Sequence, residues 1–407
     1  MDFKLAWRNI WRNPRRSILT MSAVAFATML LVFMLSWQFG SYATMINASV
    51  RIRTGHLQVQ AKGYHENREI RKVVRDPQAV GAILERTPGI KAYTYRAESF
   101  SLVSSKNRTY GALVAGIDPL REPMVSSIRD LVRAGSFLSS QDTAEAVVGY
   151  LLAKNFKAGV GDELVVLGQG RDGSIAATTL RIKGIFNSGL DEFDRGVMYI
   201  PLAYFQQVYD MNGAVNSVVA MCDSLDALPV AKQSIQKAIA GMPGLTVLDW
   251  KELTPGLVQA IKMDLVSGML FYVILIVVVA FSIMNTFLMA IFERTREFGV
   301  MLAIGIRPGR LMRILVMESL GMTVIGVLAG IVAGSLVTWY FQVNGLAISG
   351  AEELMRQFGL PERMYPQLSL LSIGVGAGIV LILTCLTALY SAFRVRRLKP
   401  VQALTAV

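Results

Sequence analysis

The chain has 407 residues, 53% of them hydrophobic and only 17% charged, whereas a soluble globular chain carries about 25% charged residues. That deficit points to a membrane protein and excludes a disordered or collagen-like chain. Cys222 and Cys385 are too few for a disulfide framework, and His56 and His65 are too few for a histidine-rich metal site.

Four stretches lack Asp, Glu, Lys and Arg: Ser17–Val50, Leu265–Phe292, Ser319–Ala351 and Met364–Phe393. Each exceeds the roughly 20 apolar residues that a membrane crossing needs, so the sequence predicts four transmembrane helices. The apolar run Ile18–Phe39 is longer than the 7–15 residues or so of a signal-peptide core, and reads as an uncleaved anchor. The resulting organisation is an elbow helix over 1–17, helix 1 over 18–40 and an outer domain over 41–264. Helix 2 over 265–292, a connection over 293–314 and helix 3 over 315–341 follow. A short outer loop over 342–367, helix 4 over 368–393 and a tail over 394–407 complete it.

Charge gives the expected orientation. The elbow carries Lys4, Arg8, Arg12, Arg15 and Arg16, the connection Arg294, Arg296, Arg307, Arg310 and Arg313, and the tail Arg394, Arg396, Arg397 and Lys399. These fourteen basic residues face only Asp2, Glu293 and Glu297, so the three pieces hold +11 of the net +12. The loop over 342–367 has Arg356 and Arg363 against Glu352, Glu353 and Glu362. Both termini are therefore expected in the cytoplasm and the large domain outside. The positive surplus marks topology rather than a nucleic-acid surface.

Within the outer domain, His56–Gln60 alternates like a strand, Asp76–Arg86 has helical spacing and Lys91–Tyr95 is again strand-like. The order returns with a strand at Ser217–Met221, a helix at Leu228–Ala240 and a strand at Leu245–Leu248. Two β-α-β units bracketing a middle segment predict one small α+β subdomain with a second inserted. That middle, about Asp118–Ala214, reads as mostly β, with strands near Ala146–Val148, Glu163–Leu167, Thr178–Lys183 and Met198–Ile200. Thr254-Pro255 is a cap and first-turn pair. Helical spacing persists to Phe292, roughly 57 Å of helix against a hydrocarbon core of about 30 Å. Helical stalks are expected to carry the outer domain.

The cytoplasmic connection reads Glu-Arg-Thr-Arg-Glu-Phe-Gly-Val-Met-Leu-Ala-Ile-Gly over 293–305. A short helix at Arg296–Ile304 would stop at Gly305, and Pro308 would open the next. It shows Phe298, Met301, Leu302 and Ile304 between charged ends, a pattern for a membrane surface or a partner's groove. An ordinary basic loop that follows the charge rule accounts for the same residues.

That string resembles the segment after the second helix of FtsX/MacB-type ABC transporter permeases. Leu5-Ala6-Trp7-Arg8-Asn9-Ile10-Trp11-Arg12-Asn13-Pro14-Arg15-Arg16-Ser17 is similar to the family's amino-terminal elbow, and Pro400-Val401-Gln402-Ala403-Leu404 to its tail. The order of one helix, a large outer domain and three helices matches along the whole chain. Within the family the likeness is greatest to the lipoprotein-releasing permeases LolC and LolE, with Ile182–Asp194 also similar. The resemblance implies a multi-pass protein of the bacterial inner membrane. Its fold would be α-helical with four transmembrane helices, and its large extracytoplasmic α+β domain, with Porter-like and Sabre-like parts, would be inserted between helices 1 and 2. It also implies a second permease, as homodimer or related heterodimer, and two copies of a separate ATPase subunit that binds ATP and Mg. A periplasmic chaperone or effector is a further implied partner; nucleic acid is not.

The chain has no Gly-x-x-x-x-Gly-Lys-Ser/Thr string, so it is not expected to hydrolyse ATP by that route; as the permease subunit that the resemblance implies, it is expected to have no enzyme activity, catalytic residue, metal or cofactor of its own. The resemblance assigns ATPase coupling to Glu293, Arg294, Arg296, Glu297, Phe298, Met301, Leu302 and Ile304. A groove for an acyl chain is placed at Met34, Trp37, Met263 and Met269, because methionine and aromatic side chains cover such a chain adaptably. Ordinary lipid-facing or core methionine explains any one of them equally. Glu318, at the edge of helix 3, reads as a functional carboxylate or as a snorkelling or paired one. Gly326, Gly330 and Gly334 suggest close packing on helix 4 at Gly374 and Gly378. The transmembrane runs lack the repeated polar positions of a hydrophilic pathway. The expected function is ATP-coupled extraction or release of a lipoprotein, or another amphiphile, from the outer leaflet. The alternative is mechanotransmission to a periplasmic partner, an efflux assembly or a cell-wall hydrolase, without transport.

Overall fold

A computed structural model describes residues 2–106, 108–293, 295–347, 350 and 363–396. The chain forms two compact units, one of Met1–Tyr42, Ile261–Ala347 and Arg363–Val407, the other of Ala43–Ala260 and Ile348–Glu362. Helix α1 spans Asp2–Arg12 and α2 spans Pro14–Ile52. Proline at the first position of α2 starts a helix without losing an internal hydrogen bond. The Ser17 hydroxyl donates back to the carbonyl of Ile10 at 2.6 Å and fixes the bend. At 39 residues, α2 is about 58 Å long.

In the α/β unit the four strands β1 (Leu57–Ala61), β2 (Ile90–Ser105), β9 (Ser217–Cys222) and β10 (Leu245–Asp249) lie in the order β10-β1-β9-β2. Each neighbouring pair is antiparallel. Helices α3 (Pro77–Arg86) and α8 (Leu228–Ala238) make the crossovers, giving the split β-α-β arrangement twice over. Asp76 caps α3 by accepting from the Ala79 amide at 3.0 Å, and Pro77 follows in the first turn.

The insertion contains β3 (Arg108–Ile117), α4 (Glu122–Val125), β4 (Val132–Gly135), β5 (Glu145–Gly149) and α5 (Tyr150–Phe156). It continues with β6 (Glu163–Gln169), β7 (Ile175–Phe186), α6 (Asp191–Gly196), β8 (Val197–Pro201) and α7 (Leu202–Val208). The inserted part is not a separate sheet. Strand β2 is 16 residues long, and it pairs with β9 near its start and with β3 and β6 further on, so all ten strands form one hydrogen-bonded sheet. The sequence signal missed this because only Lys91–Tyr95 alternates cleanly. Phe100 and Leu102 are exposed apolar residues, and the polar Ser99 and Ser101 face inward. The insertion's core gathers Val114, Val148, Leu164, Ile182, Ile200 and Phe205.

A buried ion pair ties this sheet together. Arg96 on β2 is 3% exposed and Glu122 on α4 is 1% exposed. Arg96 Nε donates to Glu122 Oε2 at 3.2 Å, and its other nitrogens reach Glu122 Oε1 and the carbonyl of Arg53. Thr94 Oγ1 adds a donor to the carboxylate at 3.1 Å. Helix α9 (Trp250–Leu253) closes the unit with a capping box between Asp249 and Glu252.

The other unit contains α10 (Pro255–Glu293) from Ile261 onward, α11 (Thr295–Ala303), α12 (Pro308–Asn344) and α13 (Leu370–Arg396). Among the described residues, Ser17–Ile52, Pro255–Phe281, Pro308–Asn344 and Leu370–Tyr390 are long and apolar enough to cross a membrane. The core is Ile10, Val24, Leu31, Met322, Val327 and Val380. The glycine stripe on α12 packs against α2, not against helix 4. A Cβ on Gly326 would lie 2.8 Å from Val24 Cβ, and one on Gly330 would lie 2.5 Å from both the Ala25 carbonyl oxygen and Thr28 Cβ. Gly374 and Gly378 have nothing within 4 Å of such a Cβ, whereas Gly376 faces Val32. The expected pairing with helix 4 fails because every glycine spacing of four looks alike in a sequence.

Candidate functional site

Helix α11 ends where Gly305 takes a φ of +97°, and Pro308 opens α12. A left-handed residue costs little only as glycine, so the stop is encoded. Of the coupling candidates, Arg296 and Ile304 are exposed, and Glu297 and Met301 are half-buried. Glu293, Phe298 and Leu302 belong to helical backbone, but their side chains lie outside the described residues, as does all of Arg294. Glu297 forms an ion pair with Arg12 at the end of α1. Asn9, one turn earlier, reaches Glu318 Oε2 at 3.5 Å, and Glu318 is 3% exposed. The elbow thus contacts both the connection helix and the start of α12, and Glu318 is a buried, hydrogen-bonded carboxylate rather than a snorkelling one. Sequence reading missed this link because the partners are some 300 residues apart.

The groove candidates fall on two helices. Met34 is exposed and Trp37 half-buried on α2, with Trp37 stacked at a tilt on Phe33 at 6.5 Å. Met263 and Met269 are exposed on α10. Met34 and Trp37, three residues apart, share a face of α2, but Met263 and Met269, six apart, point about 120° from each other. The four do not line one face of this chain.

Between α2 and α10 runs a polar seam instead. The Tyr272 hydroxyl donates to Gln38 Oε1 at 2.9 Å, Gln38 Nε2 donates to the Tyr42 oxygen at 2.9 Å, and Tyr42 donates to Asp264 Oδ2 at 2.6 Å. Polar side chains in a charge-free run were its signal, since groups at membrane depth need partners. Among the described residues no group of three or more His, Cys, Asp or Glu is placed to hold a metal ion.

Residues 269–400 match the family described as FtsX-like permease C-terminal. Residues 17–238, more than half of the chain, match the MacB-like periplasmic core domain. The chain belongs to the FtsX/MacB-type permeases. An FtsX/MacB-type permease is an ABC transporter subunit, and the four apolar helices make this one a multi-pass membrane protein whose α/β unit is a large extracytoplasmic domain. It is similar to the lipoprotein-releasing system transmembrane protein LolC of Xylella fastidiosa, 25% identical over 346 residues and 81% of each chain. A protein of the same name from Neisseria meningitidis is 22% identical over 97% of this chain and 95% of its own. The macrolide export ATP-binding/permease protein MacB of Campylobacter jejuni is 22% identical over 83% of this chain but only 53% of its own length. The permease described here therefore matches about half of that longer relative, and 81% and 95% of the two LolC proteins.

Proposed function

We propose that this permease works with a separate ATPase subunit to release a lipid-anchored protein from the outer leaflet of the inner membrane. The observation that carries the reading is the match along 81% of both chains to a lipoprotein-releasing permease, in a chain without a phosphate-binding loop of its own. Two ATPase copies bind ATP and Mg in the cytoplasm. The connection helix α11 couples them to the permease, with Glu293, Arg294, Arg296, Glu297, Phe298, Met301, Leu302 and Ile304 forming or flanking the contact. The ion pair of Arg12 with Glu297 hands the stroke to the elbow.

Lifting an acyl chain into water costs about 0.8 kcal/mol per CH₂, so the permease must offer apolar cover. The outer parts of α2 and α10 supply it through Met34, Trp37, Met263 and Met269. Because Met263 and Met269 face different ways, a second permease completes the groove. The seam of Tyr42 with Asp264 holds the two helices together until cargo enters.

The test is photo-crosslinking from each of the four positions in native membranes with ATP hydrolysis blocked. A lipoprotein adduct that disappears on adding ATP is expected. Adducts to bulk phospholipid or to the second permease alone would replace the reading with mechanotransmission to a periplasmic partner.

A further inference from the structure

The extracytoplasmic α/β unit contains a cleft of about 940 Å³ that no transport role has absorbed. Its floor is the chain leaving α2, at Ile52, Arg53 and Thr54, and its walls come from Phe100 on β2 and from Leu190 and Phe193 at α6. A cleft of this size takes a whole small ligand.

The floor is cationic and incompletely satisfied. Two arginines, Arg53 and Arg68, line it, with Arg96 buried behind them. Arg96 is paired with Glu122, and Arg68 lies 3.8 Å from Glu98. Arg53 is half-buried, and its side chain makes no hydrogen bond or ion pair with any described residue. Beside it Thr54 is 7% exposed, yet its hydroxyl has no protein partner. Gln60 Nε2 is likewise unmatched, and both side chains line an adjoining cavity of about 20 Å³. Buried hydroxyls are almost always hydrogen-bonded, so an orphan beside an unpaired guanidinium marks a place for an acceptor. Glu98 does not fill that role: the Tyr64 hydroxyl donates to it at 3.4 Å and Arg68 faces it. Burial and Glu98 push the Tyr64 hydroxyl far above its ordinary range, so it stays a donor.

The wall is apolar, and Phe100 is 71% exposed, which is costly for a large ring with nothing to cover it. Asp191 and Glu192 are exposed at the rim, and these two negative charges disfavour polyanions at the entrance.

We propose that this cleft binds an amphiphile with a single negative charge, its oxyanion on Arg53 and Thr54 and its apolar body along Leu190, Phe193 and Phe100. The shared chemistry is a carboxylate or phosphodiester on an apolar tail. The site lies wholly within the α/β unit and does not depend on which cargo the membrane helices handle.

The experiment uses the full chain in nanodiscs of zwitterionic lipid and a dodecanoate probe carrying a diazirine. Labelling is expected on peptides containing Phe100 and Leu190–Phe193. Dodecanoate or lysophosphatidylglycerol should compete, and whichever does identifies the source as fatty acid or lysophospholipid. Arg53→Gln should weaken labelling about tenfold, as loss of a hydrogen bond to a charged group does, and Arg53→Lys should restore part of it. Thr54→Val should weaken labelling several-fold and at the same time raise thermal stability, because it removes an unmatched buried hydroxyl; a purely structural role would lower stability instead. The proposal is overturned if dodecanol or inorganic phosphate competes as well as dodecanoate, if neither amphiphile competes, if labelling lies elsewhere, or if Arg53→Gln leaves it unchanged.

Discussion

Alanine substitutions along α12 and α13 should rank by the space each glycine leaves. At Gly330 a new Cβ would stand 2.5 Å from the Ala25 carbonyl oxygen and from Thr28 Cβ, and 3.1 Å from Ala25 Cα. Carbon contacts are comfortable near 3.5–4.0 Å, so α2 and α12 must separate by roughly 1 Å. The obstacle includes backbone, which cannot rotate away, and overpacking of this kind costs roughly 2–3 kcal/mol. At Gly326 the nearest atoms are Val24 Cβ at 2.8 Å and the Met21 carbonyl oxygen at 2.9 Å, for about 1–2 kcal/mol. At Gly334 the nearest atoms stand at 3.2 Å, and the cost should stay below about 1 kcal/mol. Gly374 and Gly378 meet nothing within 4 Å, so alanine there should be neutral or slightly stabilising. Reversible unfolding of the full chain in mixed micelles by added SDS, followed by far-ultraviolet circular dichroism, measures the series. If Gly374→Ala costs as much as Gly330→Ala, the α2–α12 packing is wrong.

Glu122→Gln should destabilise the α/β unit by about 3–5 kcal/mol, because it strands the buried Arg96 guanidinium; hydrogen exchange of β2 reads the loss, and Arg96→Met with Glu122→Leu should recover most of it. His56 accepts from the Cys222 amide at 3.0 Å through Nδ1 and lies 3.1 Å from Asn47 Oδ1 through Nε2. Burial and the Arg51 charge hold its pKa below the ordinary 6.5. The unfolded chain therefore binds the extra proton first, and stability should fall as pH drops below 6.5 until the folded group also titrates. A His56→Gln variant should show a flatter profile by hydrogen exchange between pH 7 and 5, and an unchanged slope would refute the assignment. For orientation, cysteines at Ser139 and Asn212 should react with an impermeant thiol reagent in intact spheroplasts, and one at Arg310 only after permeabilisation; early labelling at Arg310 would invert the topology.

Apolar runs and capping residues made much of the architecture legible. Charge-free stretches give helices, and Gly305 with Pro308 brackets α11 because one residue tolerates a positive φ and the other lacks an amide. The doubled β-α-β order was visible because β1, α3, β9, α8 and β10 alternate or repeat at the right period. The single continuous sheet was not. Strand β3 gave no signal, as Gly111 and Gly116 interrupt it where Phe100 and Phe205 press against the backbone. The elbow's link to Glu297 and Glu318, the seam through Gln38 and Tyr42, and the Arg53 cleft all join residues far apart in the chain. Long-range pairing of polar groups follows from topology, and one sequence carries no register for it. The divergence of Met263 and Met269 was itself legible, since a spacing of six on one helix turns them about 120° apart.

Release of a lipid-anchored protein driven through α11 can be measured in proteoliposomes. These would hold the permease, its second permease, the ATPase and an acylated protein on the outer face. ATP should move the acylated protein into the soluble fraction, and Met301→Asp should abolish this while the permease remains folded and inserted, since an unpaired charge in a buried contact costs several kcal/mol. Steady ATP hydrolysis with every acylated protein still in the membrane, or undiminished release by the Met301→Asp variant, would contradict it.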